Sequence, residues 1–552
     1  MTVDLEHFQP SFGTAVHLNV RCLVGLHGSV QDDDLDEAFS AVLEDAGDEL
    51  DLLHYALGAD EADRVQFLVG SQSLKPNASQ VTLVTLYESD EAHPSHLVKQ
   101  AFVHPDGEVI GLVALAARPD WFVSVYSTYS ADRPELRTGA RVWRLPPVTL
   151  ADGFSASPPN TVSVGLNDAV PEPPNSSSNT LEYVTTLPLD SYCGIRKIAS
   201  HPSTGCADLA CIVGPPVDTS PSRTNFSSPI NCATSHLVIL QAPSKSGSGD
   251  YQVASRAQLC LPPSSQVFTS YLKTNLSHLF KTLHSNGQVA VTSPPNAVRW
   301  SSYQQAGQLA VAFESGVLGW DVRSMKPCFW LEAAHWPCVR DLDFNPHRPN
   351  LLATGGDDGC IRLWDLRYLK SKLCPTNRPK SLRSSDTTKW FPGMFDSSES
   401  STEPLYSVQA HSHWVWSVRY HPTRDQLLLS SGSDCRVCLH NMSTFSSDAL
   451  LDSSLEPTRN IVRVKEADNE DRTRSSRSSS ASEPAIPNRM KNGLIARLEQ
   501  HEESVYAADW SPVDPWFFAS VSYDGNLLVN QVPEPVKLDI LLQSREVDEE
   551  EE

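Results

Sequence analysis

Over 552 residues the sequence holds no apolar run that approaches the roughly 20 residues of a membrane-spanning helix. It begins MTVDLEHFQPSFG, without a basic n-region or an apolar h-region, so a secretory signal is not expected. Basic charge is scarce: 43 Lys and Arg face 67 Asp and Glu, a formal net charge of −24. That balance argues against a nucleic-acid backbone as partner, which needs a basic face. Metal-quality cysteine spacing is also missing. Of 12 cysteines, only Cys435 and Cys438 form a C-x-x-C, inside the strand-like run DCRVCLHNM. Residues three apart on a strand point to opposite faces, and no second pair completes a tetrahedral set. Reduced, structural thiols are the expectation where no export signal exists. There is no phosphate-cradling glycine loop, no zincin helix and no nucleophile elbow. The apolar runs lack a 3.6-residue period, which excludes a helical solenoid. The expectation is a soluble, intracellular, non-enzymatic binder that needs no metal or cofactor and does not insert into a membrane.

What is present is a core and many turns. Hydrophobic residues make up 40% and aromatics 8%, while 27 Gly and 40 Pro are spread along the chain. Three stretches share a skeleton: AHWPCVRDLDFNPHRPNLLATGGDDGCIRLWDLR (334–367), AHSHWVWSVRYHPTRDQLLLSSGSDCRVCLHNM (410–442) and QHEESVYAADWSPVDPWFFASVSYDGNLLVNQV (500–532). Each has a His, then Val four residues later, an aromatic at the ninth position and a Pro. An apolar strand follows, then a small hydroxylated residue four before an Asp, and a closing alternating strand. A fourth, fainter copy ends in VLGWDVR (317–323), matching IRLWDLR (361–367).

His335 and His411 are 76 residues apart, and His411 and His501 are 90 apart. Leaving out two low-complexity stretches, 370–404 and 445–492, brings these to 41 and 42, and Trp320 to Trp364 is 44 with nothing left out. A period of roughly 40–45 residues with a terminal Trp-Asp is that of a four-stranded propeller blade. WVWSVRY is then the innermost strand of its blade, and His411 sits in the loop before it, placed to bridge Ser430 and Asp434. The equivalent sets are His335, Thr354 and Asp358 with Trp364 as a fourth member, and His501, Ser520 and Asp524. A His–hydroxyl–carboxylate trio invites a hydrolase reading. Three copies at one fold-defining spacing argue for structural hydrogen bonds instead.

Weaker copies complete the count. GEVIGLVALAARPDWFVSVYS with GARVWRLP (107–146) reads as a blade ending at Trp143. GIRKIASHP, ADLACIVG and SHLVILQ (194–241) form another. NAVRWSS, QLAVAFE and VLGWDVR (296–323) form a third, with Ala310 and Glu314 where the better copies have Ser/Thr and Asp. RVQFLVGSQS with SQVTLVTLYE (64–88), begun by TAVHLNVRCLVG (14–25), supplies one more. The expected fold is all-β, a single seven-bladed propeller over 64–543. It is preceded by a divergent region, 1–63, with the first strand and an acidic amphipathic helix (36–57). The apolar run VKLDILL (536–542) is expected to help close the ring, and 544–552 is an acidic tail. Segments 151–180, 214–231, 243–258, 370–404 and 445–492, rich in Ser, Pro, Asn and charge, are expected to be mobile inserts. In the last of them, EDRTRSSRSSSASEP (470–484) reads first as a solvated loop and second as a segment where phosphorylation adds charge beside Arg.

The segments RVQFLVGSQSLK (64–75), HSHWVWSVRY (411–420), DQLLLSSGSDCRV (425–437) and HEESVYAADWSPVDPWFFASVSYDGNLLVNQVP (501–533) carry a closer likeness. The chain resembles a WD-repeat protein of the EARP-and-GARP-complex-interacting protein family, over roughly two-thirds of its length. That resemblance implies a non-enzymatic partner of endosomal and Golgi vesicle-tethering complexes. It further implies roles in endosomal recycling, retrograde transport to the trans-Golgi network and dense-core vesicle cargo sorting. The implied location is cytoplasmic, with peripheral association with those membranes.

Propellers commonly bind partners over the narrow face, on side chains flanking the innermost strands. By position in the repeat, Arg340, Asp357, Trp414, Trp416, Tyr506 and Tyr523 lie there, and exposed Trp, Tyr and Arg make binding hot spots. A competing function comes from LLATGGDDGCIRLWDLR (351–367), which resembles the WD-x-R box used to dock on the adaptor of cullin–RING ubiquitin ligases. Its parts are Asp358, Trp364, Asp365 and Arg367, with a weaker second box at Arg323.

Overall fold

The computed structural model describes residues 12–15, 20–27, 65–73, 78–87, 96–130, 133–146, 180–216, 234–243, 250–260, 291, 293–302, 307–370, 403–447 and 492–548. These form seven antiparallel sheets of four strands each. The inner strands of blades 1 to 7 are Val20–Gly25, Glu108–Ala114, Ile195–Ser200, Ala297–Trp300, Val339–Phe344, Val415–Tyr420 and Val505–Trp510. Each touches the inner strand of the next blade, and that of blade 7 touches that of blade 1, so the ring is closed.

Six blades run from inner to outer strand in chain order. Blade 7 instead takes its outer strand, Phe12–Ala15, from the far end of the chain, with Thr14 opposite Leu527. The run VKLDILL is not a strand. It lies in a helix, Glu534–Asp548, which also takes in most of the stretch read as an acidic tail. Val536 and Ile540, one helical turn apart, are buried on the seam of blades 6 and 7, while Leu538 faces solvent. The stretch 243–258, read as an insert, holds the outer strand of blade 3, Gln252–Gln258. The acidic helix expected at 36–57 and the serine-arginine run 470–484 lie outside the described residues.

Burial explains the strand sequences. Second strands Leu351–Gly356, Leu427–Gly432 and Phe517–Ser522 are buried at every position, packed between neighbouring blades. They therefore read as nearly continuous apolar or small runs. Seven clusters of buried apolar side chains hold the ring, one at each seam. At the seam of blades 6 and 7, for example, Leu429 and Leu439 meet Val505 and Phe518. Each fully buried Leu or Phe contributes about 1.5–3 kcal/mol.

Charge is ordered around the axis. The pairing register places Arg299, Asp343, Arg419 and Asp509 at equivalent positions of four consecutive inner strands, so sign alternates from blade 4 to blade 7. The two carboxylates also reach forward. Asp343 Oδ2 accepts the Tyr420 N–H of blade 6 at 2.9 Å, and Asp509 Oδ2 accepts the Gly25 N–H of blade 1 at 3.2 Å. Arg419 bonds Asp341 and lies 3.8 Å from Asp509. Burial pushes the Asp343 carboxyl up to about 7, against the pull of Arg299. Gly25 is required by close approach: a Cβ there would stand 2.4 Å from the Trp510 carbonyl oxygen.

Candidate protein-interaction site

The histidines ahead of the inner strands of blades 5 and 6 make the expected bridges. His335 Nδ1 lies 2.8 Å from Asp358 Oδ1, and Nε2 lies 2.8 Å from Thr354 Oγ1, which also accepts the Trp364 indole N–H at 2.8 Å. His411 meets Asp434 at 2.8 Å and Ser430 at 2.9 Å. In blade 7 the arrangement changes. His501 Nε2 meets Ser520 at 2.8 Å, but Nδ1 meets the Ser522 hydroxyl at 2.9 Å, and Ser522 in turn donates to Asp524. The expected direct contact between His501 and Asp524 is therefore replaced by a relay, because Ser522 occupies the space that Gly356 and Gly432 leave for the imidazole in the other two blades.

The protons follow from the partners. In blade 5 Trp364 can only donate, so Thr354 Oγ1 accepts its N–H; the hydroxyl proton can then go to His335 Nε2 at 2.8 Å, an arrangement that leaves the ring neutral. In blade 6 the tryptophan position is His440, whose Nε2 lies 3.2 Å from Ser430 Oγ. Ser430 can donate to that nitrogen and accept from His411, leaving His411 free to carry two protons. The titration directions agree. Burial lowers His335, and Arg362, held against Asp358 at 2.6 Å, adds to the lowering. Burial also opposes the charge on His411, but the hydrogen bond to Asp434 overcomes it and lifts the ring to about 9. Burial takes His501 down to about 4 and His440 to about 3. Asp358 resists its own burial, held at about 2 by His335 and Arg362.

A fourth set escaped the sequence reading. His104 Nε2 lies 2.9 Å from Ser124 Oγ, which accepts the Trp143 indole N–H at 2.8 Å. The His-to-hydroxyl spacing of 20 residues, against 19 in the other copies, was the available signal. Blade 4 lacks the hydroxyl. The register places Val311, not Ala310, at the position of Thr354, and the buried Trp320 indole N–H has no partner among the described residues.

At the end of the ring where these loops lie, the six residues expected to contact partners form one connected track across blades 5 to 7. The Arg340 guanidinium is gripped by Asp357, with Nη2 at 3.0 Å from Oδ2. It stacks 4.8 Å from the Trp414 ring and 4.9 Å from the Trp416 ring. Trp414 and Trp416 meet edge to face at 5.7 Å, Trp416 lies 4.9 Å from Tyr506, and Tyr506 lies 5.9 Å from Tyr523. Ser433 accepts the Trp416 indole N–H, fixing the middle of the track. Its two ends face solvent, Trp414 at 38% and Tyr523 at 40% exposure. His413 stacks on Trp414 at 4.9 Å, and Trp336 is 56% exposed in the loop before the inner strand of blade 5; neither was singled out in the sequence.

Asp365 and Arg367 occupy the opposite end of the strands. Arg367 is 63% exposed, and its Nη2 lies 2.6 Å from Asp365 Oδ2, while its N–H bonds Asp365 Oδ1 at 2.9 Å. Arg323 repeats the backbone contact on Asp321. Among the described residues no group of three or more His, Cys, Asp or Glu is arranged to hold a metal ion. Cys435 lies in a turn at φ 63°, outside the strand Val437–Asn441 that carries Cys438.

A closed ring of four-stranded blades, stapled by His–hydroxyl–carboxylate bridges and ending strands in Trp-Asp, defines a WD-repeat β-propeller. The model of the WD domain, G-beta repeat, matches residues 327–365, 402–441 and 492–529. Each match includes most or all of the outer strand of one blade and ends on the third strand of the next. The chain is 30% identical to EARP and GARP complex-interacting protein 1 of Homo sapiens over 482 residues, 87% of this chain and 94% of that protein. Its counterpart in Rattus norvegicus is 31% identical over the same shares. EARP-interacting protein 1 of Caenorhabditis elegans is 31% identical over 235 residues, 42% of this chain and 50% of that protein. The chain belongs to the family of EARP and GARP complex-interacting proteins.

Proposed function

We propose that this propeller is a non-enzymatic scaffold that binds the EARP and GARP vesicle-tethering complexes. Through them it supports endosomal recycling, retrograde transport to the trans-Golgi network and dense-core vesicle cargo sorting, as a peripheral component of those membranes. The observation that carries this reading is likeness over 87% of the chain to proteins named for interacting with those complexes. The histidine sets are repeated and their polar atoms satisfied internally, which suits staples rather than a single reactive centre. No helix among the described residues is long and apolar enough to cross a membrane, which suits recruitment through protein contacts. The contact face is the track from Arg340 to Tyr523, whose residue types and partial exposure match those of interface hot spots. The test is capture of purified tethering complex: the wild-type protein is expected to retain it and the Trp414→Ala, Arg340→Ala double variant to lose it, with the melting temperature unchanged. Loss of folding along with capture would make these residues core.

A second reading, a substrate receptor of a cullin–RING ubiquitin ligase, is favoured by the exposed Arg367 held by Asp365 at the other end of the ring. Arg367→Ala then loses the ligase adaptor and keeps the tether.

A further inference from the structure

The chemistry around the aromatic track says what kind of partner segment fits it, given the reading that this track is the contact face. Every arginine that touches its flanking turns is already neutralised. Arg340 is held by Asp357, Arg362 by Asp358, and Arg436 lies 2.8 Å from Glu499. Glu502 and Glu503, exposed in the turn before the inner strand of blade 7, have no cation partner among the described residues. Asp524, in the neighbouring turn, is bonded among the described residues only to Ser522 and Asn526. The carboxylates of Glu503 and Asp524 act on the turn of blade 6, which Glu502 touches through its backbone. The Cys435 thiol donates to the Glu502 carbonyl at 3.4 Å, and burial followed by the charges of Glu503, Asp434 and Asp524 pushes that thiol up. The end of the ring that presents Trp414 and Tyr523 thus carries surplus negative charge, in a chain whose formal charge is −24.

We propose that the track between Arg340 and Tyr523 receives a lysine- or arginine-bearing peptide segment of a protein partner, whose cations stack on the exposed Trp414 and Tyr523 rings and pair with Glu502 and Glu503. An aromatic face attracts a cation through its quadrupole, as Arg340 already demonstrates on Trp414 and Trp416. An acidic segment would meet like charge. A purely apolar one would strip water from Glu502 and Glu503 and give nothing in return. A basic segment satisfies both the rings and the carboxylates.

The test uses the full-length protein and a displayed library of random 12-residue peptides, with the Trp414→Ala variant as counter-target. The expected result is enrichment of peptides with net positive charge, whose binding falls at least tenfold in Trp414→Ala. Glu502→Gln with Glu503→Gln is expected to weaken them about five- to tenfold and to flatten the dependence on salt between 50 and 300 mM. Glu182→Gln with Glu534→Gln removes two exposed carboxylates elsewhere and leaves binding unchanged. Enrichment of acidic or uncharged peptides overturns the proposal. So does a failure to enrich anything over the counter-target, or equal weakening by the distant pair, which would mark attraction to overall charge. Capture of tethering complex by the same variants separates the two levels. If Trp414→Ala loses the complex while basic peptides fail, the face stands and its chemistry falls. If the complex is kept while basic peptides bind, the face is not where the tether docks.

Discussion

The carboxylate of Asp509 accepts the backbone N–H of Gly25 at 3.2 Å, so a side chain near the C-terminus caps a strand near the N-terminus. Asp343 makes the same contact two seams earlier, on Tyr420. Because Asp509 also lies near Arg419, it links three consecutive blades, 6, 7 and 1. Asp509→Ala strands a buried N–H and is expected to lose about 1–3 kcal/mol of stability. Urea denaturation read by tryptophan fluorescence measures it, and a midpoint unchanged from wild type would show that water replaces the carboxylate at no cost.

The proton inventory predicts opposite titrations for two histidines in nearly identical places. In a ring-resonance titration by NMR, His411 titrates near 9 and His335 below 6.5. Trp364→His supplies an acceptor where a donor stood and is expected to raise His335 above its ordinary value. If His335 stays low in that variant, Arg362 rather than the hydroxyl's direction is what keeps it neutral.

Stability follows pH in two windows. His411, raised when folded, stabilises fully below 6.5, and its contribution is lost as pH rises through about 9. His104 and His501, both lowered to about 4 chiefly by burial, act in the other direction. They remain neutral in the fold while the unfolded chain takes up protons, so stability falls as pH drops from 6.5 toward 4. The urea midpoint of His501→Gln is accordingly expected to decline less between pH 7 and 5 than that of wild type, and parallel curves would contradict it.

Blade 4 offers a gain. Val311→Thr places a hydroxyl where Thr354 has one, within reach of the orphaned Trp320 N–H. Buried Val to Thr is ordinarily destabilising. Here an increase of about 1 kcal/mol is expected, the net worth of one hydrogen bond. Differential scanning calorimetry decides the sign.

The sequence was legible where one residue performs one task in every copy. Imidazole, hydroxyl and carboxylate at fixed spacing located blades 5 to 7, and the apolar second strands located most of the others. Gln252–Gln258 was missed because an outer strand faces solvent on most of its length and needs no apolar pattern. That VKLDILL is helical was not legible, because a short apolar run does not reveal its period until Val536 and Ile540 find a common seam. His104 was missed because the blade 2 hairpin lengthens the path to Trp143. The relay through Ser522 had one signal in the sequence, a serine where the other two blades have Gly356 and Gly432, but which contact it makes turns on one atom's position between His501 and Asp524.

The partner of Leu527 in the final sheet is Thr14, 513 residues earlier in the chain. During synthesis, at about 5–20 residues per second, that first strand waits on the order of half a minute to two minutes for its place to exist. Until then the flank of blade 1, with Val65 and Phe67, has nothing to lie against. A ribosome-bound chain stalled before blade 7 is thus a natural client for chaperones, and a tag fused just ahead of Phe12 would be felt at the opposite terminus.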